Sequence, residues 1–343
     1  MKVFTRDYSI KHYDSPLWGE YFNGLKPCVL DIEATGLDPQ RCKLVLMGLL
    51  TETENGLRGT QFLAENHYEE NRVLEATMKF LHDEGIDYII TFNGLRYDVP
   101  FINTRLHKLG YEDEMNIYDF DLYRFLRKCS VLPDRMDSLS QASVERYFGI
   151  ASDRKDTISG RESVALFDEY AVTGNSTIEK IILTHNREDV LQLYKLLMLA
   201  GNDDFDELLK NEFRSSDCKA FHAAIAKYGF PICNGGRCAR PSLNTSKMTL
   251  RISGDQISNP VTAAYYPDID SSVSAVFNAV SRSYEISFPI EKHNSECFVD
   301  LSSLGLSGLR DSDAVGRYLI LNPRTINVLA RELVAKYQPY ISE

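Results

Sequence analysis

Cys28-Val29-Leu30-Asp31-Ile32-Glu33-Ala34-Thr35-Gly36-Leu37-Asp38-Pro39 reads as a short strand that ends in two carboxylates and a turn. The apolar start has the length and composition of a buried strand, and Thr35 to Pro39 breaks it. Alternate residues on a strand share a face, so Asp31 and Glu33 leave the strand end together. Like charges that close repel unless a cation lies between them, and a hard divalent metal held by oxygen ligands is the usual one. A solvated acidic pair at a strand terminus is the competing reading, of equal weight on this pair alone.

Two further segments supply matching chemistry. In Asp87-Tyr88-Ile89-Ile90-Thr91-Phe92-Asn93-Gly94-Leu95-Arg96-Tyr97-Asp98, an apolar strand closes at an Asn-Gly turn, and Asp98 opens a helix. A carboxylate is favoured at a helix N-terminus, so capping is the alternative role for Asp98. In Leu183-Thr184-His185-Asn186-Arg187-Glu188-Asp189-Val190, a helical stripe continues through positions 193, 196 and 197. His185 and Asp189, four apart, share one helix face. They read either as an ordinary hydrogen-bonded pair or as a general base beside a metal ligand.

The order Asp-x-Glu, then Asn-Gly-x-x-Tyr-Asp, then His-Asn-x-x-Asp-Val resembles the DEDD 3′-to-5′ exonuclease superfamily with its RNase H-like fold. Within it the chain is most similar to the YprB-type RNase H-like domains, over residues 25–200. Asp121-Leu122-Tyr123, Asp137-Ser138-Leu139, the run from Val144 to Ile150 and Ile158-Ser159-Gly160-Arg161-Glu162 fit that closer likeness. The resemblance implies that Asp31, Glu33, Asp98 and Asp189 are metal carboxylates holding two divalent ions, Mg²⁺ or Mn²⁺. It implies that His185 is the general base, and that Thr35, Gly36, Leu37, Asn93 and Tyr97 contact substrate. The three-residue gap between His185 and Asp189 departs from the family, where it accompanies Tyr more than His. Ala34 stands where Thr is commoner.

The chemistry suits those residue types. Four carboxylates nearly balance two divalent cations, and such a pair of cations stabilises both the attacking and leaving oxygens of a phosphodiester. A neutral imidazole can accept the proton of the attacking water. The activity the resemblance implies is 3′-to-5′ exonucleolytic hydrolysis of nucleic acid, with a single-stranded 3′ end as partner. The alternatives are a non-catalytic nucleic-acid or protein binding module on the same scaffold, which substitution of a site carboxylate would leave unaffected, and a structure-specific endonuclease, which differs in its products.

The net charge of −11 over 343 residues is unlike a dedicated duplex binder. An enzyme gripping a few terminal nucleotides needs only a local basic patch, for which Arg124, Arg127, Lys128, Arg135, Arg154, Lys155 and Arg161 are candidates; a solvated helix face is the other reading. No apolar stretch approaches the roughly 20 residues of a membrane span, and residues 1–7 lack the apolar core of a signal peptide. Seven scattered cysteines fit a reducing, cytoplasmic setting better than a disulfide framework.

Periodicity places strands at 28–33, 43–51, 58–64, 87–92 and 116–120, and helices at 68–83, 99–108, 121–129, 138–148, 163–170 and 177–200. Three consecutive strands followed by alternating helix and strand predict an α/β mixed five-stranded sheet flanked by helices. Residues 1–24 read as an N-terminal extension, 25–200 as the RNase H-like domain and 201–343 as a smaller, mostly β (α+β) accessory domain. There, helices at 218–228 and 325–337 bracket short strands at 230–233, 249–253, 261–266, 284–288 and 297–301. Cys218, His222, Cys233 and Cys238 outline a zinc site, but their spacing matches no standard finger, and a buried free thiol is the favoured reading. No structural zinc is expected.

Overall fold

The run around Leu30 forms a central strand because its apolar side chains are covered on both faces of a sheet. A computed structural model describes residues 1–11, 16–22, 24–155, 158, 160–200, 208–209, 219–232, 237–255, 264–267, 273–278, 281 and 283–337. It divides into two units, Met1–Phe205 and Asp206–Glu343.

In the first unit, strands β1 (Lys2–Tyr8), β2 (Pro27–Ala34), β3 (Leu44–Thr53), β4 (Gly56–Leu63), β5 (Tyr88–Thr91) and β6 (Tyr118–Asp121) form one sheet in the order β1-β4-β3-β2-β5-β6. The β1/β4, β4/β3 and β3/β2 pairs are antiparallel; β2/β5 and β5/β6 are parallel. Both alternating residue sets of β3 are buried from Leu44 to Thr51, as a strand covered on both faces requires.

Around the sheet stand α1 (Pro16–Phe22), α2 (Glu70–Asp83), α3 (Asp98–Lys108), α4 (Leu122–Cys129), α5 (Leu132–Arg135), α6 (Gln141–Tyr147), α7 (Gly160–Thr173) and α8 (Ser176–Ala200). Leu30, Leu46, Leu63, Leu74, Ile102, Phe167 and Ile182 share one core drawn from β2, β3, β4, α2, α3, α7 and α8. In this unit the sheet has six strands rather than five. Residues 2–8, expected within an extension, pair along the whole of β4 from Lys2↔Leu63 to Tyr8↔Leu57. As an edge strand, β1 carries Lys2, Arg6 and Asp7, and charged edges hide the hydrophobic signal of a strand while protecting it from aggregation.

Strand β2 does not end cleanly. Its register with β3 shifts between Glu33 and Ala34, so that Glu33 faces Leu46 but Ala34 faces Leu44. The extra residue is Val45 of β3, and Glu33 itself keeps its register. Thr35 then closes the strand with two contacts to Lys43: its N–H donates to the Lys43 carbonyl at 2.9 Å, and its Oγ1 accepts from the Lys43 N–H at 2.9 Å.

The second unit contains α9 (Lys219–Tyr228), a six-stranded antiparallel sheet, a four-stranded antiparallel sheet and α10 (Pro323–Tyr337). The larger sheet runs β10-β11-β12-β9-β8-β7, from β7 (Phe230–Ile232), β8 (Arg237–Asn244), β9 (Thr249–Asp255), β10 (Ala264–Pro267), β11 (Ser274–Asn278) and β12 (Ser283–Pro289). Burial alternates along β9, β11 and β12, which is the signature of a sheet with one covered face. β8, not among the expected strands, contains Pro241, a residue that argues against a central strand. Its geometry explains the tolerance: β7 pairs only with 237–239, so Pro241, opposite Ile252 of β9, lies beyond the point where β8 needs donors on both sides. Among the described residues, no helix is long and apolar enough to cross a membrane.

Candidate metal centre

Strand β2 and helix α8 bring the quoted residues to one place. Asp31, Glu33, His185 and Asp189 line an open cleft of about 1160 Å³, together with Gly36, Leu37 and Tyr97. His185 sits among the carboxylates. Its Nε2 is 3.5 Å from Glu33 Oε1 and 3.6 Å from Asp189 Oδ2. One ligand atom from each of Glu33, His185 and Asp189 lies within 4.8 Å of the others.

Asp98, the first residue of α3, is buried, and its Oδ1 accepts the Ile32 N–H at 3.3 Å. It therefore lies beside β2, at the backbone between Asp31 and Glu33. Of the residues expected at substrate, Gly36, Leu37 and Tyr97 line the cleft, and Tyr97 Oη donates to the Gly36 carbonyl at 3.3 Å. Leu37 is 82% exposed at the rim. Thr35 spends its hydroxyl on Lys43. Asn93 occupies a left-handed turn (φ 70°), and its N–H donates to Asp121 Oδ1 at 2.9 Å; it does not line the cleft.

Sequence reasoning passed over the residues that hold this arrangement. Asn186 is fully buried, and its Nδ2 donates to Asp31 Oδ2 at 2.8 Å and to the Asp31 carbonyl at 3.3 Å. Its Oδ1 in turn accepts Gln61 Nε2 from β4 at 2.8 Å. One side chain of α8 thus spans β3 to reach Asp31 on β2 and Gln61 on β4. Gly48 makes room for it: a Cβ there would sit 2.2 Å from Asn186 Oδ1, and Gly48 is the residue of β3 opposite Asp31. The sequence did carry a signal, since a lone glycine inside an apolar strand marks a close approach. Ser163 of α7 donates a hydrogen bond to Glu33.

Electrostatics follow from this crowding. Burial, reinforced by the charges of Asp189, Asp98 and Glu33, pushes the Asp31 carboxyl well above its usual range, against the bond from Asn186. Burial raises Glu33 to about 7, offset in part by His185 and Ser163 and reinforced by Asp189 and Asp98. Burial likewise raises Asp98 to about 7, against the Ile32 N–H and with help from the nearby charge of Asp121. Asp119, bonded through both oxygens by Thr91 Oγ1 at 2.8 and 3.0 Å, is also pushed up by burial and by Asp121.

These groups fit a hard divalent cation. The donors are carboxylate oxygens with one imidazole beside them, and the cost that raises their pKa values is the cost a cation removes. Asp31, Glu33, Asp98 and Asp189 would hold it, with His185 at its edge.

Among the candidate basic residues, Arg154 lines the cleft, whereas Arg124, Arg127, Lys128, Arg135 and Lys155 lie on exposed surface. The side chain of Arg161 lies outside the described residues. Of the zinc candidates, His222 and Cys238 are buried, while Cys218 and Cys233 lie outside the described residues.

A model of the RNase H superfamily matches residues 28–200. Among solved structures, the family B DNA polymerase from the hyperthermophilic archaeon Pyrobaculum calidifontis is 18% identical, with a TM-score of 0.40, over 58% of this chain. The match spans 28% of that polymerase. No curated protein matches the sequence.

Proposed function

The chain belongs to the RNase H superfamily, and from that premise we propose that it is a metal-dependent 3′-to-5′ exonuclease acting on single-stranded ends of nucleic acid. The observation that carries the reading is the convergence of Asp31, Glu33, His185 and Asp189 on one open cleft, with Asp98 buried against the Ile32 N–H between the first two. Two Mg²⁺ or Mn²⁺ ions, when bound, would supply charge stabilisation for the attacking and leaving oxygens.

The chain's own residues do the rest. The four carboxylates place the ions and are themselves placed by Asn186, Ser163 and the Ile32 N–H. His185, with Nε2 between Glu33 and Asp189, accepts the proton from the attacking water. Leu37 at the rim and Tyr97 at the wall present apolar and aromatic surface to a terminal base.

The test is digestion of 3′-labelled single-stranded DNA and RNA by the full chain with Mn²⁺, with Mg²⁺ and with chelator. Release of labelled mononucleotide that chelator stops is expected, together with its loss in Asp31→Asn. Internal cutting without mononucleotide release would replace the reading with an endonuclease. Wild-type turnover in Asp31→Asn would remove this cleft from the chemistry.

A further inference from the structure

We propose that Arg154 is a positioning residue, which fixes through Asp189 the carboxylate oxygen presented to a divalent cation in the cleft. The inference rests on the metal reading above. Arg154 follows the short 3₁₀ turn Ala151–Asp153, and its guanidinium reaches two carboxylates at once. Nη1 donates to both oxygens of Glu145, each at 3.0 Å, and Nη2 donates to Asp189 Oδ1 at 2.5 Å.

Glu145, on α6, is fully buried. Its Oε1 also accepts Gln141 Nε2 at 3.0 Å, and the same amide donates to the Asp189 carbonyl at 3.0 Å. Asp189 is thus braced at its backbone by Gln141 and at its side chain by Arg154, both tied to Glu145. With Oδ1 engaged by Arg154, Oδ2 is the oxygen turned toward His185 Nε2 and Glu33. A planar fork can hold two carboxylates in fixed relation, and an ammonium cannot. Residues that orient a metal ligand in this way contribute strongly to metal affinity.

Charge alone argues the other way, because a guanidinium beside a cation site repels the cation. Glu145 largely cancels that repulsion, since it binds the same guanidinium through both oxygens. Arg154→Gln on its own would therefore mix two effects, lost orientation and an uncovered Glu145 charge. Two charge-conserving changes separate them. Arg154→Lys keeps the positive charge and gives up the fork. Glu145→Gln with Arg154→Gln removes both charges together and leaves no unpaired buried ion.

Mn²⁺ affinity of the full chain is measured by calorimetry without nucleic acid, alongside thermal melting. Both variants are expected to bind Mn²⁺ about 10- to 100-fold more weakly than wild type, and either one that melts cooperatively decides the matter. Wild-type binding matched by the variants overturns the role of Arg154 and leaves the proposed activity standing. A wild-type chain that takes up no Mn²⁺ overturns both.

Discussion

At the scale of the residue, the site is a set of carboxylates whose folded-state pKa values stand above those of the unfolded chain. Between about pH 4 and pH 7, the native protein therefore binds more protons at Glu33 and Asp98 than the unfolded chain does. Stability in chelator then falls as the pH rises through that window. Asp31→Asn removes one member of the group and its repulsion on the others, so its melting temperature should exceed that of wild type. The gain should be small at pH 4.5 and larger at pH 8, with each 1 kcal/mol read as about 2–4 °C. Equal gains at the two pH values would contradict the charge origin of the effect. His185→Ala should lower turnover by about 10²–10⁴-fold. If the imidazole is the base, the mutant also loses the acid limb of the pH–rate profile, because only neutral imidazole accepts a proton. An acid limb unchanged in the mutant assigns the base elsewhere.

Of these residues, strand and helix periodicity put Asp31 with Glu33 and His185 with Asp189 on one face each, and the family resemblance, not periodicity, brought the two pairs together. The brace was not legible. Arg154 looked like one more scattered cation, since its partners Glu145 and Asp189 lie 9 and 35 residues away along the chain. Only the fold makes them neighbours.

At the scale of the element, helix α8 is seated on the sheet by one polar side chain at a glycine gap. Gly48→Ala should drive the new methyl into Asn186 and cost about 1–3 kcal/mol in urea unfolding, as overpacking does. Part of that cost should be recovered in the double variant with Asn186→Ala, where the clashing amide is gone. Strict additivity of the two single changes would show that they do not share the contact. The strands β2 to β6 were readable from their apolar runs. β1 was not, because an edge strand shows its partner only backbone and carries charges outward. β8 was not, because proline is excluded from central strands only where both sides need donors. The bulge that leaves Val45 of β3 without a partner, opposite the step from Glu33 to Ala34, leaves no mark in composition at all.

At the scale of the whole molecule, two units with separate cores carry opposite pH dependences. The groups of the candidate metal cleft belong to Met1–Phe205, where raised carboxylates should make the metal-free protein less stable as pH climbs from about 4 to about 7. In Asp206–Glu343 the alternating strands made the β character legible, while the connectivity of two antiparallel sheets was beyond any periodicity. Here His222 is buried on α9, and burial, with the charge of Arg324 behind it, lowers its pKa to about 4. The native imidazole stays neutral where the unfolded chain takes up a proton, so this unit loses stability as pH falls from about 6.5 toward 4. Calorimetric melting of the full chain in chelator, at pH 5 and at pH 7.5, should therefore show two transitions that move in opposite directions. His222→Gln should flatten the acid loss of one, and Mn²⁺ should raise the other at pH 7.5 by binding only the folded cleft. Two transitions that rise and fall together with pH, or a His222→Gln variant with wild-type acid sensitivity, would place the titrating groups elsewhere.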